Sequence, residues 1–157
     1  MKNHTQKTLM IALIGLSLLA GCQEKAQKVE TRELITVGDY EKIVGPQWIL
    51  ESMTIDKTPY TLSQKMPTIQ FSEDQKVAGL ASLNRFSGSF QFTTDRQIAW
   101  PKPLMMTRMA GPENLMKQED AFVKALQKAQ HLSLSGNRLY LYTKDHTTEL
   151  VFYVPVQ

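Results

Sequence analysis

Apolar positions recur with a period of two through most of the chain, the spacing that puts alternate side chains on one face of a strand. Ile69 and Phe71 alternate with Thr68 and Gln70, and Ser72, Glu73, Asp74 and Gln75 supply turn chemistry before a second short segment over 76–80. Phe90 and Phe92 share a face in a further segment over 88–92. Toward the C-terminus Leu132 and Leu134 run into Gly136-Asn137, a pair suited to a tight hairpin, and Leu139 and Leu141 then share a face opposite Tyr140 and Tyr142. Leu150, Phe152 and Val154 repeat the period once more. The pattern predicts a meander of antiparallel strands with one polar face or one lined cavity. The period changes in one place. Leu115, Phe122, Leu126 and Ala129 fall on one stripe of a helix over about 113–129. Pro112 and Glu113 suit its first turn, since proline's missing N–H costs nothing there and the acid faces the positive end of the dipole. Glu119 lies inside the apolar stripe, four residues after Leu115 and three before Phe122.

Ahead of these elements stands a segment of another kind. Residues 1–8 are polar and basic, and residues 9–20 are mainly apolar, with Ile11, Leu13, Ile14, Leu16, Leu18 and Leu19. A helix across a bilayer needs ~20 apolar residues, so this run suits the apolar core of a secretory signal better than a permanent span. It ends in Leu19-Ala20-Gly21-Cys22, which resembles a bacterial lipobox. That motif implies cleavage before Cys22 and acylation of its sulfur and new amino group. Each buried methylene then adds ~0.8 kcal/mol of membrane affinity. Gln23 stands where an aspartate would resemble an inner-membrane retention signal. By resemblance to Gram-negative lipoproteins, the expected address is therefore the outer membrane, with the domain facing the periplasm. Residues 23–32 are charged and lack aromatics, and read as a tether; residues 33–44 are ambiguous between an edge strand and loose chain. The expected organisation is a signal over 1–21, a lipidated tether over 22–44 and one domain over 45–157.

Composition narrows the functional classes. The chain has 157 residues, 42% hydrophobic and 21% charged, as expected of one globular domain. Its net charge of +3 includes Lys2 and Lys7 of the signal, so the remaining chain is nearly neutral and no nucleic-acid partner is expected. The single cysteine excludes an intrachain disulfide and a thiolate metal cage. His131 and His146 form no ligand-spaced pair, and no nucleophile elbow or acid–histidine partner occurs, so neither a catalytic site nor a cofactor is expected. Met105, Met106, Met109 and Met116 could act as soft ligands for Cu(I). Without a nearby histidine or cysteine, their expected role is to fill irregular apolar gaps, and no metal is expected.

Two further segments carry a family resemblance. Residues 79–90 read GLASLNRFSGSF, similar to the glycine-x-x-x-cysteine-asparagine-arginine-phenylalanine-x-glycine signature of the META/HslJ family. Residues 103–111 read PLMMTRMAG, similar to its threonine-(arginine)-methionine-alanine-cysteine segment. Glu119 ahead of Phe122 and Leu126, the Trp48-x-Leu50 opening and the Gly136–Leu141 hairpin also fit, so the resemblance spans about 45–154. It implies an α+β fold, a strongly curved antiparallel sheet or open β-barrel packed against one main helix. It also implies a likeness to a lipid-binding pilotin lipoprotein, and roles in envelope stress, secretion or virulence without a catalytic site. The family's two cysteine positions are Leu83 and Gly111 here, lost together as expected of a pair that interact.

The candidate binding or structural cluster is Asn84, Arg85, Thr107, Arg108 and Glu119. Asn84 tolerates turn dihedrals and can replace backbone hydrogen bonds. Thr107 and Arg108 belong to the second matching segment. Arg85 or Arg108 is expected to pair with Glu119, because an unpaired carboxylate on a buried stripe is costly. The expected protein is a monomer whose partners are the membrane, through its anchor, and an envelope protein or apolar ligand. A small enzyme inhibitor presenting the loop over 56–63 is the alternative, and an envelope-acting hydrolase working through Glu119 a weaker one.

Overall fold

Residues 31–35, 37–93 and 97–155 are described by the computed structural model; the signal segment, Cys22 and the tether up to residue 30 lie outside them. In chain order the elements are β1 (Glu33–Leu34), a 3-10 turn (Val37–Lys42), β2 (Gln47–Ile55), β3 (Thr58–Pro59), β4 (Thr68–Phe71), β5 (Lys76–Leu80) and β6 (Arg85–Ser89). They continue as β7 (Gln91–Phe92), β8 (Ile98–Ala99), β9 (Met105–Met106), α1 (Glu113–Lys128), β10 (His131–Ser135), β11 (Arg138–Tyr142) and β12 (Glu149–Tyr153). The fold is α+β. Its main sheet runs β1-β10-β11-β12-β2-β4-β5-β6-β9, with β3 branching from β2, and its end strands β1 and β9 do not pair, so the barrel stays open.

The period-two segments form where the alternation places them. In β4 Ile69 and Phe71 are buried and Gln70 is exposed, and Val77 and Phe86 continue the inner face across β5 and β6. The β10–β11 hairpin closes through two residues, Ser135 facing Arg138. Gly136 has φ +56°, a conformation that suits glycine at the first corner of such a turn. The expected segment over 88–92 is instead divided. Gly88 leaves room for Leu104, whose Cδ2 would lie 2.6 Å from a Cβ there, and the chain passes through buried Phe90 into the separate β7–β8 ribbon.

Helix α1 lays Leu115, Phe122, Ala125 and Leu126 on the sheet. The Phe122 ring lies 5.9 Å from Phe86 and 6.2 Å from Phe152. Burying one such side chain stabilises the fold by ~1.5–3 kcal/mol. A second aromatic group surrounds Phe90, with Phe71 at 5.1 Å, Phe92 at 5.7 Å and Tyr40 at 5.8 Å. The space between helix and sheet, where a lined cavity was one of two alternatives, is therefore filled by the protein's own rings.

Two expectations need correction. The first is the polar outer face of β11. Tyr140 and Tyr142 are both buried, because Arg32 lies 3.9 Å over the Tyr140 ring and His131 and His146 stack on Tyr142. The second is the boundary at residue 45. Glu33 and Leu34 pair with β10, Arg32 holds Glu149 at 2.6 Å, and Ile35 and Ile43 are fully buried. The indole N–H of Trp48 donates to the Ile43 carbonyl at 3.0 Å. Residues 32–35 and 37–44 thus pack with the folded unit, the edge strand being the alternative that holds for the start of the ambiguous segment.

Candidate functional site

Asn84 ends the turn between β5 and β6 and is buried. Its amide group donates to the Met109 carbonyl at 3.1 Å and to Glu119 Oε1 at 2.8 Å. Its Oδ1 accepts from the Thr107 hydroxyl at 2.8 Å and from the Met109 N–H at 2.7 Å. The side chain thereby ties the β5–β6 turn, the segment leading into α1 and α1 itself, and its donor and acceptor capacity is used up.

Glu119 completes this arrangement from the helix. Its Oε2 accepts the N–H of Leu83 at 3.2 Å and that of Asn84 at 2.7 Å. Two main-chain donors and one amide donor, not a guanidinium, satisfy the carboxylate. The expected ion pair with Arg85 or Arg108 is not formed among the described residues. The reason is register: Arg85 begins β6 beside buried Phe86, so alternation sends its side chain to the outer face, away from the helix. Only its N–H turns toward the cluster, donating to Thr107 Oγ1 at 3.1 Å.

Gln118 is the residue that sequence reasoning missed. It is 0% exposed; its amide group donates to the Lys65 carbonyl at 2.8 Å and the Ser82 hydroxyl at 2.7 Å, and its oxygen accepts the Ser63 N–H. The signal was in the spacing, since 115, 118, 122, 125 and 129 fall on one stripe with Gln118 at its centre. Adjacent side chains of α1 therefore both hold the β5–β6 turn, and Gln118 also holds the segment over 63–65. The sites of the absent cysteines also meet. A Cβ on Gly111 would lie 2.7 Å from Leu83 Cδ1, so the leucine fills the space beside the glycine.

With those polar groups engaged internally, the accessible chemistry lies on the outer face of β4, β5, β6 and β9. Thr68, Leu80 and Arg85 stand in one row across the strands, and Gln70, Ala78, Ser87 and Met105 in the next. With Gln47 they line an open trough of about 800 Å³. Arg85 is the cation in it and has no ion-pair partner among the described residues. Across β9 a second groove of about 650 Å³ contains Arg108, Glu119, Asn84 and four methionines. In β10, burial, with His146 and Lys144 nearby, lowers the pKa of His131. Among the described residues no group of three or more His, Cys, Asp or Glu side chains could hold a metal. Cys22, the expected lipid acceptor, lies outside the described residues.

Comparisons with known proteins agree with this architecture. The family model described as META domain matches residues 41–154. An NMR structure of a protein from Burkholderia xenovorans superposes with a TM-score of 0.65 at 16% identity, covering 85% of this chain and 97% of the other. Another protein solved by NMR gives a TM-score of 0.54 at 25% identity, covering 76% and 95%. The crystal structure of a DUF4847 family protein from Bacteroides vulgatus gives 0.56 at 15% identity, covering 74% and 97%. No curated protein matches the chain.

Proposed function

Because the chain belongs to the META domain family, we propose that it is a non-enzymatic accessory module of the cell envelope, lipid-anchored through Cys22 at the outer membrane, which binds a partner on the outer face of its sheet. The observation that carries this reading is the position of Arg85. Its guanidinium lies in the trough among hydrogen-bonding and apolar side chains, while the neighbouring carboxylate is held by main-chain amides. A planar fork in such a setting suits a carboxylate of a partner, bound through two parallel hydrogen bonds. The filled interior argues for a partner protein over an apolar ligand swallowed between helix and sheet.

A photo-crosslinking side chain at Ser87, in intact envelopes, tests the surface. The expected result is a discrete adduct that Arg85→Ala abolishes and that the same probe at Lys124 does not give. No adduct, or one indifferent to Arg85→Ala, refutes the trough. The anchor is tested separately: Cys22→Ser should abolish labelling by a palmitate analogue, and persistent labelling refutes lipidation.

One observation favours the inhibitor as a second reading. The β2–β3 turn is a two-residue hairpin with Asp56 at φ 49° and Lys57 at φ 65°, pinned by the Lys57 N–H to the Thr147 carbonyl at 2.7 Å. It is a fixed exposed loop over a filled core. Adducts from Lys57 with an envelope enzyme, and none from Ser87, would select it.

A further inference from the structure

The large hydrophobic side chains exposed among the described residues are all methionines: Met66 at 38%, Met105 at 69%, Met109 at 58% and Met116 at 46%. Gap-filling, the role expected from the sequence, does not account for side chains this open. Three of the four reach the same groove from three positions: the edge strand β9, the segment that follows it, and the first turn of α1. Met106 lines the same groove while packing partly on the core. The polar cluster holds this assembly together. Asn84 bonds the main chain of Met109 on both sides, and Glu119, three residues after Met116, clamps the β5–β6 turn beneath it. The thioethers are thus exposed at their tips, with the Met109 main chain fixed by hydrogen bonds.

A thioether is a neutral, polarisable donor with little affinity for hard cations, and three of them around one ion suit a d10 monovalent metal. The groove also contains one carboxylate, Glu119, and one guanidinium, Arg108, so it carries no net charge against a monovalent cation. We propose that Met105, Met109 and Met116 form a surface site for a soft monovalent cation, Cu(I) or its analogue Ag(I). Binding forms metal–sulfur bonds from existing lone pairs and requires no proton release and no redox step. The site shares Met105 with the edge of the trough, but Met109, Met116 and their sulfurs lie outside it, and Arg85 lies outside the methionine groove, so the two readings have separate tests.

The test is titration of the full-length chain in detergent micelles with Ag(I), followed by NMR of 13C-labelled methionine methyls. Cys22→Ser is present in every arm, so that a thiol cannot supply the sulfur. Saturable shifts are expected at Met105, Met109 and Met116, with Met53 and Met66 unmoved. A competition titration with a Cu(I) chelator under reducing conditions gives the affinity. The M105L/M109L/M116L variant keeps the apolar surface but removes sulfur. It should lose at least the roughly tenfold to hundredfold that loss of even an outer partner costs a metal site. Absence of saturable shifts, equal shifts at exposed Met66, or unchanged affinity in the leucine variant overturns the proposal. In the last case the groove would be an apolar docking face.

Discussion

Asn84 and Glu119 convert three separate chain segments into one braced unit, and the cost of breaking it falls on main-chain groups. Glu119→Ala leaves the N–H groups of Leu83 and Asn84 without an acceptor. Unsatisfied donors in partly buried sites cost ~1–3 kcal/mol each, so the variant should lose roughly 2–4 kcal/mol in chemical denaturation. Combined with Asn84→Ala the loss should be clearly less than additive, since both remove the same bond. Combined with Arg85→Ala or Arg108→Ala it should be additive within about 0.5 kcal/mol, because neither guanidinium touches the carboxylate. Coupling to either arginine would contradict the geometry. Leu83 and Gly111 give a second cycle. Gly111→Ala drives its Cβ to 2.7 Å from Leu83 Cδ1, and such overpacking costs ~1–3 kcal/mol. Adding Leu83→Ala should recover part of that loss in thermal melts; a simple sum of the two would mean that the pair do not share space.

At the scale of the element, α1 shows that an amphipathic stripe need not be apolar throughout. Gln118 lies on the buried face, and its three partners tie the helix to the segment over 63–65 and to Ser82 of the β5–β6 turn, which Glu119 also holds. A hydrophobicity argument would have Gln118→Leu stabilise the helix–sheet contact. The bonds argue the reverse: the Ser63 N–H, the Lys65 carbonyl and the Ser82 hydroxyl would all lose their partner. A net loss of about 2–4 kcal/mol is expected from denaturant unfolding. Hydrogen exchange should show the increase in opening at Ser63, ahead of the strands. A stabilised variant would show that water replaces the side chain without cost.

Across the whole molecule, the core of the open sheet includes residues from before residue 45. Ile35 and Ile43 are fully buried, and truncating a buried isoleucine typically costs ~2–5 kcal/mol. A chain beginning at Gly45 should therefore melt well over about 10 °C below one beginning at Thr31, or fail to fold. Equal melting temperatures would return residues 32–44 to the tether. Arg32 makes the same point from the outer face, where it covers Tyr140 and pairs with Glu149.

The strands β4, β5, β10, β11 and β12, the hairpin at Gly136-Asn137 and the extent of α1 were legible along the chain, whereas the short β3, β8 and β9 and the break at Phe90 were not. Each legible element follows from local periodicity and turn chemistry, which act between neighbours in sequence. The motif around Asn84 was legible too, through family likeness, as was the nearness of Leu83 to Gly111. The partner of Glu119 was not. It depends on which face of β6 carries Arg85, and that is set by the pairing of β6 with β5 and by the buried place of Phe86. The place of Gln118 on the buried stripe was legible in the spacing, but its partners at Ser63, Lys65 and Ser82 were not, because docking on the sheet brings them there. The weakly patterned residues 33–44 carry no local signal, because they fold by adding to an edge that the rest of the chain builds. The methionines were read as filler since burial is a property of the assembled surface: position in sequence cannot tell a thioether sealed in the core from one left open at the end of a sheet.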